Sequence, residues 1–370
     1  MKRLISLLLI ISITVLNIIT LNGCGYEFQN PTVLGDYVNH NLAGTTLNVY
    51  NWGEYISDGS EGAMDVVKEF ENLTGISVNY STFDSNESMY SLIKYGGVSY
   101  DIVIPSDYMI ERMRNENMLQ KIDTSKLSNY KYIDEKYKGL YYDVNNEYSV
   151  PYSVGMVGLI YNTVLVDEVP DSWSIMWDER YKNDVLTFNN PRDTFAIAQF
   201  LLGQDINTTN RADWDAAAEL LKKQKDVLQA YVMDEVYNKM ESGSAAIAPY
   251  YAGDYLSMVD NNEDLAFVYP KEGTNIFVDA ICIPKNAENY DAAMLFINYL
   301  LEPEIALANA EFIYYASPNT AVTSNPEYSL IGDELLYPSE DDMPRVQYFH
   351  DMDKETREYF DKLWQDVKLH

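Results

Sequence analysis

The sequence predicts an α/β protein of two lobes, joined by strands that cross between them at a hinge, with a ligand cleft between the lobes. Three observations carry this. Short strand-like segments alternate with helix-period segments over residues 47–104 and again over 184–269. The chain beyond its amino-terminal region is too long for one comfortable hydrophobic core. No Pro/Gly-rich or low-complexity linker separates the halves, and the apolar strand at residues 276–283 reads as a return to the first lobe, which makes a hinge rather than two beads on a string.

The first lobe opens with a strand at residues 47–50. Residues 63–74 follow with Met64, Val67, Phe70 and Leu73 at helical spacing and Gly75 as the residue that ends the helix. A strand at 76–80, a helix at 87–95 and a strand at 101–104 continue the alternation. Such an order demands parallel pairing with right-handed crossovers, and ligands of such sheets bind beyond the carboxyl ends of the strands. The loops Trp52-Gly53-Glu54-Tyr55 and Pro105-Ser106-Asp107-Tyr108 both fall at such ends. Residues 148–151 and 156–161 are extended and lead into the second lobe. There, strands at 184–187, 227–231, 245–248 and 266–269 alternate with helices at 194–202, 214–223 and 235–242. Helices at 292–301 and 304–310 follow, and a last helix at 354–367 closes the second lobe. Lobe 1 is therefore residues 44–152 with 279–322, and lobe 2 is 153–278 with 323–370.

The amino terminus speaks to location. Lys2 and Arg3 precede a nearly uninterrupted apolar run from Leu4 to about Leu21, the pattern of a secretory signal. The run is also nearly long enough to be a transmembrane anchor. It ends in Leu21-Asn22-Gly23-Cys24, which looks like a bacterial lipobox, with cleavage before Cys24 and a lipid on its sulfur. Residues 1–23 are then a lipoprotein signal peptide and 24–43 a polar tether. Both readings place the remainder outside the membrane, in the periplasm or on the outer face.

Charge and composition narrow the ligand. The chain carries 57 acidic against 26 basic residues, a formal net charge of −31. Such a surface repels nucleic acid and attracts cations, although acidity also serves solubility alone. With Cys24 lipidated, only Cys282 remains, in an apolar run that makes it a buried small hydrophobe. The three histidines, His40, His350 and His370, fall in tether and tail regions and form no cluster with metal-ligand spacing, so neither a metal nor a cofactor is expected. Trp52, Glu54 and Tyr55 combine an indole face, which attracts an organic cation, with a carboxylate that neutralises it. The 32 tyrosines suit alkyl-ammonium ligands and sugars alike.

Several segments, taken in order from about Thr46 to the end, resemble the extracellular polyamine-binding (spermidine/putrescine) proteins that feed ABC transporters. Besides the Trp52 loop they are Ser85-Asn86-Glu87-Ser88-Met89-Tyr90, Asp101-Ile102-Val103-Ile104-Pro105-Ser106-Asp107-Tyr108, Gln120-Lys121-Ile122-Asp123, Ser125-Lys126-Leu127 and Val150-Pro151-Tyr152. Later come Tyr269-Pro270-Lys271-Glu272-Gly273, Val278-Asp279-Ala280, Ile283-Pro284 and Ser317-Pro318-Asn319. The resemblance implies a type II periplasmic-binding-protein fold. It also implies a monomeric, non-enzymatic carrier that closes on a polyamine and docks on an ABC transporter permease.

Position by position, the resemblance makes Trp52 and Tyr55 an aromatic wall of the first lobe, with Glu54 offering a carboxylate and Ser106 and Tyr108 the second loop. Asp193 corresponds to an acidic second-lobe ligand and Asp279 to the central carboxylate, with Phe277 beside it. Tyr250 takes a stacking position, and Tyr315 and Gln347 match late contacts. Two departures stand out. Asn190 lies where a second aspartate is expected, which leaves open how many amines are recognised, and Tyr250 and Phe277 stand where tryptophan is frequent and should stack less strongly. Independently of the family, a polyamine is an apolar chain with cationic ends. It needs aromatic walls for its methylenes and about one carboxylate per nitrogen. The rivals are a receptor for sugar, thiamine or iron and, from another class, an extracellular glycoside hydrolase, since rings with paired carboxylates suit sugars too.

Overall fold

The structure, a computed structural model, describes Tyr37 and residues 40–370; the signal segment, Cys24 and nearly all of the tether lie outside the described residues. Strand β1 (Thr46–Trp52) begins the first part of the sheet. Helix α1 (Val66–Thr74) starts later than periodicity alone suggests, because Asp65 caps it by accepting the Lys68 N–H at 2.8 Å. Its buried stripe is Val66, Phe70 and Thr74, and Gly75 at φ 71° ends it as expected. Strand β2 (Ser77–Phe83), helix α2 (Asn86–Tyr95) and strand β3 (Ile102–Val103) follow. Helix α3 (Asp107–Asn115) begins directly after Ser106, where a loop is expected through Tyr108.

Strand β4 (Ser149–Asn162) is one unbroken strand where two extended segments were expected. Gly155 and Gly158 lie in its middle. A Cβ on Gly155 would come within 2.4 Å of the Phe277 ring, and one on Gly158 within 2.1 Å of the Phe267 ring, so both rings pack on bare backbone. The second part comprises β5 (Val185–Phe188), α4 (Pro191–Leu201), α5 (Arg211–Gln224), β6 (Leu228–Val232), α6 (Glu235–Glu241), β7 (Ile247–Tyr251), α7 (Ala252–Asn261) and β8 (Leu265–Val268). Helix α7 occupies residues for which the periodicity predicts no helix. Strand β9 (Thr274–Cys282), helices α8 (Tyr290–Leu300), α9 (Pro303–Ile313) and α10 (Thr320–Thr323), strand β10 (Val346–Gln347) and helix α11 (Lys354–Leu369) complete the chain.

The strands run β2-β1-β3-β9-β4-β7-β5-β6, with β8 also on β4 and β10 on β9. Strand β1 is parallel to β2 and β3, and β5 is parallel to β6 and β7, as the alternation required. The seam between the parts is antiparallel: β9 pairs with β3 at Val103–Cys282 and with β4 from Ser149–Cys282 to Met156–Ile276. The far end of β4 pairs with β7 and β8. Both parts are thus built on β4 and β9, whose residues are almost all buried. Helix α11 seals the second part by packing Phe360 and Val367 against Phe195, Trp214 and Leu221.

Cys282 is buried, and burial pushes its thiol well up. His350 is not a loose tail residue: its ring lies 4.2 Å from that of Tyr141 and its Nδ1 is 3.7 Å from Glu111. Among the described residues no helix is long and apolar enough to cross a membrane, and no group of His, Cys, Asp and Glu could hold a metal ion.

Candidate ligand-binding cleft

The carboxyl ends of β1 and β3 and the middle of β9 meet in one place. At the end of β1, Trp52 is half-buried, its ring 4.5 Å from Phe83 and its Nε1 buried without an acceptor. Glu54 adopts φ 50° and is exposed, so the turn throws its carboxylate outward and brings Tyr55 back in. Tyr55 donates its hydroxyl to Asp279 Oδ2 at 2.7 Å. The rings of Tyr152 and Tyr315 stand edge-on to Tyr55 at 5.7 and 5.2 Å, and Tyr152 fixes the loop by donating to the Tyr55 carbonyl at 2.8 Å.

Asp279 sits in the fully buried strand β9. Burial pushes its carboxyl up to about 6, against the pull of the Ser106 and Tyr55 hydroxyls toward the charged form. Its Oδ1 is buried with no hydrogen-bond partner. Ser106 bridges to Asp279 through the backbone and is held by Asn86, which donates to Ser106 Oγ and accepts from its N–H, both at 3.1 Å. Asp107 ties α3 to β9 by accepting the N–H groups of Tyr108 at 2.7 Å and Val278 at 3.1 Å. Tyr108 donates to Glu87 Oε1 at 2.9 Å.

Across the cleft, Asn190 caps α4 by accepting the Arg192 N–H at 3.0 Å, and its Nδ2 donates to Asp193 Oδ2 at 2.7 Å. Asp193 also accepts from Tyr251 at 2.9 Å and Asn275 at 3.1 Å; burial nonetheless pushes its carboxyl up to about 7. The Arg192 guanidinium lies 4.4 Å from the Phe349 ring and 5.3 Å from that of Tyr108. Phe277 faces Tyr251 edge-on at 5.4 Å. Tyr250 lies beneath, stacked on Phe188 at 5.3 Å and only 2% exposed. Tyr315 donates to Asp254, which also accepts from Tyr237 at 2.6 Å and is pushed up to about 6 by burial. Gln347 lies opposite Asn275 on β10, and its Oε1 accepts the Ile206 N–H at 3.4 Å.

The structure therefore gathers Trp52, Tyr55, Phe277 and Tyr315 into one aromatic cluster with Tyr152 and Tyr251, and sets Ser106 and Asp279 against it. Tyr108, Asn190 and Asp193 form a second group around Arg192. Glu54 is not drawn in, Tyr250 is a layer below, and Gln347 touches the group through its strand neighbour Asn275. Sequence reasoning did not single out Glu87, Tyr251 or Asp254. A signal for each was available: Glu87 and Asp254 sit in first turns of helices, α7 directly following the carboxyl end of β7, and period-two alternation sends Tyr251 to the opposite face from Tyr250. Rings and buried carboxylates in one cleft suit an apolar chain with cationic ends.

A cleft flanked by two α/β parts that share crossing strands is a receptor architecture, holding a small solute between walls. The chain belongs to the bacterial extracellular solute-binding protein family, whose sequence model matches residues 65–330. It is 35% identical over 335 residues to the spermidine/putrescine-binding periplasmic protein of Salmonella typhimurium, a match spanning 89% of this chain and 94% of that one. A solved structure of a spermidine/putrescine ABC transporter protein from Listeria monocytogenes is similar at TM-score 0.83 and 37% identity, over 88% of this chain and 99% of that one. The spermidine/putrescine ABC transporter substrate-binding protein PotD of Streptococcus pneumoniae is similar at TM-score 0.73 and 35% identity, over 88% and 99%. The two-lobed type II periplasmic-binding-protein fold implied by the resemblance is the fold of this chain.

Proposed function

We propose that this protein is an extracytoplasmic polyamine-binding protein that captures its ligand between the two lobes and delivers it to the permease of an ABC transporter. One observation carries the reading: Asp279 holds a buried carboxylate oxygen without a partner, beside the rings of Tyr55, Tyr152, Phe277 and Tyr315. A buried carboxylate lacking a cation is costly, and an ammonium offsets that cost while each ring face adds about 0.5–2 kcal/mol. A neutral sugar would leave the charge uncompensated. The names of the similar proteins from Salmonella typhimurium and Streptococcus pneumoniae point the same way.

In this reading the protein is a monomeric carrier rather than an enzyme. Lobe 1 is 44–152 with 279–322 and lobe 2 is 153–278 with 323–370, hinged where β4 and β9 run together; the register shift between Pro151 and Ser153 favours a bend there. Trp52 and Tyr55 wall the amine, Asp279 takes an ammonium, and Cys24 carries the lipid that tethers the protein to the membrane. Isothermal titration of the full-length protein in mild detergent, stripped of carried-over ligand by unfolding and refolding, tests it. Putrescine, cadaverine, spermidine and spermine are titrated, with maltose and thiamine as controls. One-to-one amine binding at micromolar affinity or tighter is expected. Silence toward all four amines with binding of a control would overturn the ligand assignment.

A further inference from the structure

Two tyrosines at the end of α9 reach over to α7. On the proposed lobe boundaries α9 lies in the first lobe, where its Asn309 accepts the Ser57 N–H at 3.0 Å, close to the Tyr55 loop. Helix α7 lies in the second, between β7 and β8. Tyr314 ends α9 at φ 59°, a left-handed turn where glycine is usual. From that turn Tyr314 donates to Asp260 Oδ2 at 3.2 Å and Tyr315 donates to Asp254, so both hydroxyls land on acids of α7. The Tyr315 ring rests on bare backbone of the same helix, since a Cβ on Gly253 would come within 2.4 Å of it. That ring also stands edge-on to Tyr55 at 5.2 Å in the aromatic cluster. Tyr237 of α6 holds Asp254 at 2.6 Å from within the second lobe, so Asp254 accepts one hydroxyl from each lobe.

Resting on the polyamine reading, we infer that α7 and the Tyr314–Tyr315 turn form a latch that holds the lobes shut. Asp254 is a positioning residue in it, acting through Tyr315 and taking no ammonium itself. The latch is made only as the lobes meet, so it slows ligand release and leaves encounter alone. Because it grips protein and not ligand, it serves amines of every length alike. A carboxylate that merely stabilised the second lobe would lower the thermal midpoint and leave release unchanged.

Stopped-flow release of putrescine and spermidine from the full-length protein in mild detergent tests this. In Asp254→Ala the release rate should rise about three- to thirtyfold for both amines, with association changed less than about twofold. Tyr237→Phe, which removes only the bond within the second lobe, should speed release less. Unchanged release, or a larger loss for spermidine than for putrescine, would overturn the inference, the latter by making Asp254 a ligand contact. A second readout needs no amine. At the cleft mouth a Cβ on Gly53 would lie 3.3 Å from Asp234 Oδ2, and burial, Glu235 and Asp84 together push the Asp234 carboxyl up. Spin labels on Asp84→Cys and Glu235→Cys, both exposed, report the width of that mouth. They should move apart in Asp254→Ala. They should also do so in Gly253→Ala, which wedges the Tyr315 contact while favouring the helix, and which serves alone if Asp254→Ala does not fold. An unchanged label distance would overturn the latch. A wild type that binds no amine would overturn the polyamine reading, and the label distance would still decide the latch.

Discussion

Acidifying the solution should loosen amine binding, and by how much depends on which carboxylates must be charged. Burial pushes Asp279 up to about 6 and Asp193 up to about 7 from an ordinary 3.8. A cation binds the ionised form, so affinity follows the ionised fraction. From about pH 8 to about pH 5, protonation of Asp279 alone weakens binding about tenfold, and if Asp193 must also be charged the loss is about a thousandfold. The sign for the unliganded protein is opposite. Both groups hold a proton more tightly folded than unfolded, so their penalty on folding appears as pH rises from 3.8 through the folded values. For Asp279 it reaches about 3 kcal/mol above both values. The thermal midpoint gained on adding putrescine should therefore grow with pH, and binding near pH 6 should release protons. Titration calorimetry in two buffers of different ionisation enthalpy measures both. An affinity flat across this range, with no proton release, would refute the assignment of a buried aspartate as ammonium partner.

Other outcomes follow from the same geometry. Asp279→Asn should weaken putrescine binding about ten- to a hundredfold without lowering the unliganded thermal midpoint, because it also removes a buried charge; calorimetry and a melting curve check the two halves. Trp52→Ala should raise Kd about two- to thirtyfold by titration, the value of one ring face. Gly155→Ala places a methyl 2.4 Å from the Phe277 ring. It should cost about 1–3 kcal/mol by denaturant unfolding, with a matching loss of affinity as the ring is pushed aside.

Much of the frame was legible because apolar periodicity and helix stops are local signals. Gly75 does end α1, and the alternating segments do become the parallel strands β1, β2 and β3. What escaped were elements set by tertiary contact. Helix α3 follows β3 after only Ile104, Pro105 and Ser106, and its polar first turn is buried because Asp107 is bonded to Val278 of β9, a partner no local window contains. Strand β4 reads as two pieces, 148–151 and 156–161, with Gly155 in the gap, yet Gly155 is where the Phe277 ring packs, and Gly158 within the second piece is where Phe267 packs. In the cleft, Trp52, Tyr55 and Asp279 could be placed from their positions at strand ends and in an apolar strand. Whether Glu54 turned out or in hinged on a left-handed backbone, and whether Asn190 met ligand or Asp193 hinged on a capping geometry. Neither is written in residue type alone.

The shared strands also constrain how the chain comes into being. Val103 finds its neighbour at Cys282, and Ser149 finds the same residue, so the sheet begun by Thr46–Trp52 stays open along one edge until Thr274–Cys282 has been made. Pairings this distant are entropically slow to close. While they wait, β3 and β4 present unpaired edges that invite association with other chains. Neither lobe should therefore mature alone, and excising either one should yield an aggregation-prone fragment, while the whole chain melts in a single cooperative step.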